Sequence, residues 1–257
     1  MAELSLAPHS AEYFSKQGLR DFEALWNLPD SLVDEPNRRG RGWSKVSRHE
    51  LESANGQRRV FYLKRQLNYF PRSRLLGRRL LLNREHRALV RLGKHGIGTL
   101  EVAAFGLKKT DGASRGLLVT RSLDGYVDLE TAFSQGNWAY LNRLRDPVAG
   151  LISRLHAHGF MHGALYPKHV FVTGSEFPGP PDARLIDLED LWRLPLGNLH
   201  RVRDLAKLNR HTPMLDEFAK LRFFYAYLGL RKMTPAGKRL LTRIIKKSQK
   251  KASRGPR

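Results

Sequence analysis

Two stretches hold side chains that could handle a phosphate. One is His162-Gly163-Ala164-Leu165-Tyr166-Pro167-Lys168-His169-Val170-Phe171-Val172; the other, after a Pro/Gly-rich turn, is Leu185-Ile186-Asp187-Leu188-Glu189. Phosphoryl transfer asks a protein for positive charge and bound metal around the moving group, and for little covalent help. Asp187 ends an apolar stretch with a carboxylate, an oxygen donor of the kind Mg²⁺ prefers. His169 is a second metal-capable side chain, although imidazole matches Mg²⁺ less well than oxygen does. Lys168 offers positive charge to a γ-phosphate. His162 reads either as a residue of the reaction loop or as a satisfied structural histidine.

Upstream, residues 58–66 read as a strand on which Val60, Tyr62 and Lys64 share one face. Lys64 lies near the strand's end, where an ammonium could meet α- and β-phosphates. Glu85 follows 21 residues later on a predicted helix, with Leu81, Leu89 and Leu92 at i−4, i+4 and i+7. That spacing sets a carboxylate on the inward apolar stripe. A buried carboxylate needs a partner, and Lys64 is the natural one. The plainer reading makes one a strand-end surface charge and the other a helix-edge residue. Gly40 and Gly42 precede a strand, where a phosphate-covering loop belongs, but two glycines among arginines also suit an ordinary turn. Lys45 stands where a third glycine would be expected. Glycines, lysine, glutamate, histidine loop and aspartate run in protein-kinase order. The Asp expected two residues after His162 is Ala164, so the usual base for an acceptor hydroxyl is absent.

The elements that must position these groups follow from periodicity. Residues 11–28 read as a leader helix and 31–34 as a first strand. Strands are expected at 43–51 and 58–66, joined through an Asn55-Gly56 hairpin turn. A helix is expected over 74–94, with strands at 101–106 and 116–120. Helices are expected at 137–158, 201–210, 215–227 and 235–250. Strands first and helices afterward describe an α+β, two-lobed protein-kinase-like fold. Its parts are a leader helix and first strand (1–36), a small antiparallel-sheet N-lobe (37–122), a mainly helical C-lobe (123–250) and a basic frayed tail (251–257).

With 257 residues and 41% hydrophobic side chains, the chain can bury a substantial core. The absence of cysteine excludes disulfides and thiolate metal sites and fits a reducing compartment. No basic, then apolar, leader opens the sequence, and no apolar run is long enough to span a bilayer. A cytoplasmic protein is therefore expected. The net charge of +22 attracts polyanions: nucleic acid, anionic lipid or a phosphorylated substrate. Charge alone selects none of them.

Taken together, these motifs resemble the lipopolysaccharide core kinases, particularly their InaA-type branch. The resemblance runs from Trp26-Asn27-Leu28-Pro29 through Phe61-Tyr62-Leu63-Lys64 and Arg84-Glu85-His86. It continues through the loop at 162–172 and Leu185–Glu189 to Asp204-Leu205-Ala206-Lys207-Leu208 and Arg222–Gly229. It implies ATP and Mg²⁺ as cofactors, with Lys64 and Glu85 as a phosphate-positioning ion pair and Asp187 holding metal. Histidine at the position of His169 is common in that family. The implied acceptor is a heptose or Kdo hydroxyl of the lipopolysaccharide core or a related glycolipid. The implied location is the cytoplasm, with peripheral contact on the anionic inner membrane of a Gram-negative bacterium.

Two departures stand out. The family's catalytic enzymes have His-Arg-Asp where this chain has His162-Gly163-Ala164, and general-base help is worth about 10² to 10⁴-fold. Tyr62 puts a ring where kinases keep a small residue over adenine. The leading reading is a phosphotransferase; the second is a pseudokinase acting as a scaffold or envelope-stress regulator. A basic RNA-associated protein is the third. The aromatics fall at expected core positions with no stacking platform, so nucleic acid is not the expected partner.

Overall fold

The computed structural model describes residues 3–71, 79–110, 112–193 and 199–252. The chain divides into two compact units, one of residues 1–91 and 100–123, the other of residues 92–99 and 124–257.

The first unit is built on six antiparallel strands. In chain order these are β1 (Glu3–Leu6), β2 (Asn37–Arg39), β3 (Gly42–Glu52), β4 (Arg58–Leu67), β5 (Val102–Thr110) and β6 (Ala113–Arg121). Their order across the sheet is β1-β5-β6-β4-β3-β2. Strand alternation sorts β4: Phe61, Leu63 and Arg65 are buried on one face, while Tyr62, Lys64 and Gln66 take the other. Phe61 and Leu63 join a core with Ala103, Leu117 and Val119, closed by Tyr13, Phe14, Phe22 and Leu25.

Those last four residues lie on α1 (Ala11–Lys16) and α2 (Phe22–Trp26), where one helix over 11–28 was expected. The break falls at Gln17–Gly18, where the Leu19 N–H folds back onto the Phe14 carbonyl at 2.9 Å. Asp21 then restarts the helix as its N-cap, accepting from the Ala24 N–H at 2.9 Å. The strand expected at 31–34 shrinks to a single bridge, Leu32 with Ser47. Pro29 and Pro36 bracket it, and proline withholds the amide a longer ladder needs.

Arg65, buried in the sheet, binds this connection in place. Its guanidinium donates to the carbonyls of Trp26 and Leu28 at 2.7 and 2.8 Å and to Asp30 at 2.5 Å. Helix α3 (Leu81–Lys94) follows; the expected helical residues 74–78 lie outside the described residues.

The second unit is mainly helical: α4 (Leu129–Gln135), α5 (Trp138–Ala157), α6 (Leu199–Arg210), α7 (Glu217–Leu228) and α8 (Pro235–Ala252). Asn137 caps α5 by accepting from the Tyr140 N–H at 2.9 Å. Leu144, Val148, Leu151, Ile152 and Leu155 form its buried stripe. Two small antiparallel sheets complete the unit. One has β7 (Tyr126–Asp128), β9 (Val170–Thr173) and β10 (Ala183–Leu185); the other has β8 (Phe160–Met161) and β11 (Trp192–Arg193).

Replacing Arg65 by Met keeps the volume but strands two carbonyls and Asp30. Arg65→Met is expected to cost about 3 kcal/mol, read as a lower urea midpoint. Burial pushes the imidazoles of His49 and His86 below their ordinary range, with the Arg65 guanidinium adding to the effect at His49. His86 also stacks flat on Phe105, with centroids 3.7 Å apart. Because both stay neutral in the fold, their contribution is fully present above the unfolded value of about 6.5. It is lost as pH falls below that value toward the depressed native one. The thermal midpoint is therefore expected to drop between pH 7 and pH 5, with a shallower drop in His86→Gln.

Candidate active site

In the first unit, Lys64 Nζ lies 2.7 Å from Glu85 Oε2. Glu85 is buried among Leu81, Leu89 and Leu92 on the apolar stripe of α3. The strand that carries Lys64 also seats the helix. Gln66, on the same face of β4, accepts from the Leu82 N–H at 2.9 Å and donates to Ser44 at 3.3 Å. Two residues along the strand thus meet three along the helix: Gln66 with Leu82, Lys64 with Glu85. A helix start has unpaired N–H groups, and Gln66 supplies one acceptor. Tyr62 shares that face, as alternation requires.

Gly40 has φ +58° in the tight turn between β2 and β3, which suits glycine. Gly42 meets the backbone of β4: a Cβ there would lie 2.2 Å from the Asn68 carbonyl oxygen. Both glycines therefore have a backbone reason to be present, independent of any phosphate.

In the second unit, His162 is fully buried, and its Nε2–H donates to the Ile186 carbonyl at 3.0 Å. Burial pushes its imidazole below the ordinary range, so it is neutral. The geometry favours the structural reading of this residue: it ties the loop to the segment carrying Asp187. Lys168 is exposed on the short turn Pro167–His169.

His169 Nδ1 lies 2.8 Å from the Ala164 carbonyl, and its Nε2 lies 3.3 Å from Asp187 Oδ2. A carbonyl only accepts, so Nδ1 carries a proton and Nε2 faces the carboxylate. Nε2 and Oδ2 are a nitrogen and an oxygen donor of the kinds that divalent metals take. No cluster of three or more His, Cys, Asp or Glu side chains suited to a metal occurs among the described residues. The protein thus offers a nitrogen and an oxygen, leaving positions for water and phosphate, as Mg²⁺ sites commonly do. Asp187 itself has φ 56° and ψ 62°, a left-handed conformation uncommon outside glycine. Strain of this kind concentrates at functional sites.

What holds the loop is a residue whose role the sequence did not reveal. Asp204 on α6 is buried and accepts from the His162 and Gly163 N–H groups at 2.7 and 3.0 Å. His156 Nε2 donates to it at 3.2 Å, leaving Nδ1 to accept from the Tyr227 hydroxyl at 2.8 Å. Burial holds the Tyr227 phenol well above its ordinary range, so it remains a donor. One turn beyond Asp204, the Lys207 ammonium donates to the Gly163 carbonyl. Gly163 has φ +78°, and a Cβ there would lie 2.5 Å from the Asp190 carbonyl oxygen. The sequence carried Asp204-Leu205-Ala206-Lys207-Leu208 as a motif of the family resemblance, with no role attached to Asp204.

An antiparallel sheet carrying a lysine–glutamate pair, and a helical unit carrying a histidine loop and an aspartate, define the protein-kinase-like class. The profile of the Lipopolysaccharide kinase (Kdo/WaaP) family matches residues 23–227, and the chain belongs to that family. Protein InaA of Escherichia coli (strain K12) is 26% identical over 215 residues, covering 80% of this chain and 96% of that protein. A solved structure, WaaP in complex with acyl carrier protein, superposes with a TM-score of 0.68. It is 24% identical and covers 96% of this chain and 98% of that one, which shows the fold.

Replacing Asp204 by Ala strands two buried N–H groups and an imidazole. Asp204→Ala is expected to cost about 3 kcal/mol, measured by urea unfolding.

Proposed function

We propose that the protein is an ATP-dependent phosphotransferase acting on a sugar hydroxyl, heptose or Kdo, of the lipopolysaccharide core. The observation that carries this reading is the Lys64–Glu85 pair, 2.7 Å apart and largely withdrawn from water. Burying two charges costs more than packing apolar residues in their place, so such a pair is best explained by a task. That task is to present one fixed ammonium to the α- and β-phosphates. By the family resemblance, the Gly40–Gly42 turn would cover the phosphates of the nucleotide and Lys168 would offer positive charge to its γ-phosphate.

Asp187 Oδ2 and His169 Nε2 would hold the Mg²⁺ that accompanies ATP. When bound, that ion neutralises charge on the phosphate oxygens. His162 positions rather than reacts: its proton is committed to the Ile186 carbonyl. Ala164 has no group to accept the hydroxyl proton, so orientation and electrostatics must supply the rate.

Ala164 also favours a second reading, a nucleotide-binding pseudokinase that acts as a scaffold or regulator of the envelope. In either case the working place is the cytoplasmic face of an anionic inner membrane. No helix among the described residues is long and apolar enough to cross a membrane. Attachment there would be peripheral.

The two readings separate in one assay, transfer of labelled phosphate from ATP to extracted lipopolysaccharide. Slow transfer by the wild type, its loss in Asp187→Asn and a gain of about 10²-fold in Ala164→Asp are expected. Mg²⁺-dependent stabilisation by ATP without any transfer would establish the pseudokinase instead. Absence of ATP-dependent stabilisation in the wild type would overturn both.

A further inference from the structure

Helix α7 is apolar on more faces than the core can use. Phe224 and Tyr227 are buried, yet Phe218, Leu221 and Phe223 turn toward a groove of about 560 Å³ that α8 borders on its other side. On α8, Leu240 and Ile244 are buried, while Leu241 and Ile245 sit further out along the groove. Phe218 is 79% exposed, and Trp138, at the groove's edge, is 52% exposed. Volumes of this size suit the burial of an apolar ligand. Isolated apolar residues at a surface are ordinary, but a contiguous set lining a groove marks a contact site.

The charge beside the groove selects the contact. Helix α8 carries seven Lys and Arg residues and no Asp or Glu. Arg239, Arg243 and Lys246 follow at i, i+4 and i+7, on the face of α8 turned away from the stripe of Leu241 and Ile245. All three are exposed and make no ion pair among the described residues. A Lys/Arg face on one side of a helix and an apolar face on the other is the layout of a segment lying in a membrane interface. Phe218 and Trp138, exposed aromatics lining the groove, suit insertion between lipids.

We propose that the α7–α8 groove is the membrane-docking surface of this protein, taking acyl chains of an anionic bilayer while the α8 cations meet the headgroups. The inference rests on the peripheral membrane location proposed above and not on catalysis. It adds the surface and the residues that make the contact.

The test is co-sedimentation of the full-length protein with phosphatidylcholine vesicles, with and without phosphatidylglycerol, in the absence of ATP. Salt-sensitive binding to the anionic vesicles alone is expected. Phe218→Ala with Trp138→Ala should weaken it by about ten-fold or more, and Arg239→Glu with Arg243→Glu and Lys246→Glu should abolish it. The substituted side chains are exposed, and an unchanged thermal midpoint verifies folding.

Full binding by the Phe218/Trp138 variant would overturn the proposal, because surface charge would then suffice without the groove. Equal binding to neutral vesicles, or capture of an acidic protein with no vesicle binding, would also overturn it. Phosphate transfer to a detergent-dispersed acceptor is read separately. Transfer without vesicle binding defeats only the docking surface; vesicle binding without transfer defeats only the proposed reaction.

Discussion

The second unit depends on one buried carboxylate. Asp204 takes two backbone N–H groups of the histidine loop and is steadied by His156, which Tyr227 steadies in turn. This string joins α7 to α5, α5 to α6, and α6 to the loop. Each member is acceptable in a dry interior only because the next satisfies it, which makes the arrangement cooperative. The loop's shape is therefore set by α6 and α7, far beyond it in the chain, as well as by α5 just before it. The Lys207 ammonium on the Gly163 carbonyl grips the next peptide of the loop.

The first unit solves a similar problem with a sheet. Glu85 must stay at one height along α3, and a helix can slide or rotate unless its start is held. Gln66 holds that start while Lys64, one strand repeat away, meets the carboxylate. Residues on one face of a single strand thus fix both the helix and its charge. The opposite face of the strand, through Arg65 and the Phe61–Leu63 pair, anchors the leader segment.

Much of this was legible in the sequence because it is periodic. The i−4, i+4 and i+7 leucines around Glu85 announce a carboxylate on a buried stripe, and alternation in β4 places Tyr62 with Lys64. The leader was misread as one helix because its apolar spacing continues through a turn that only the Leu19–Phe14 bond reveals. Strand β1 was missed because four residues pairing with β5, far along the chain, carry no local signal. The same holds for Asp204. Its partners are main-chain amides, and main-chain amides have no residue type to recognise, so Asp204-Leu205-Ala206-Lys207 could be matched to a family without its purpose being read.

Gly163 ties the loop to the turn that follows Asp187. With the Asp190 carbonyl lying where a side chain would begin, no larger residue fits at that position unless residues 188–190 move. A side chain at position 163 and the present turn at Leu188–Asp190 exclude one another, so Gly163→Arg can be accommodated only together with a rebuilt turn.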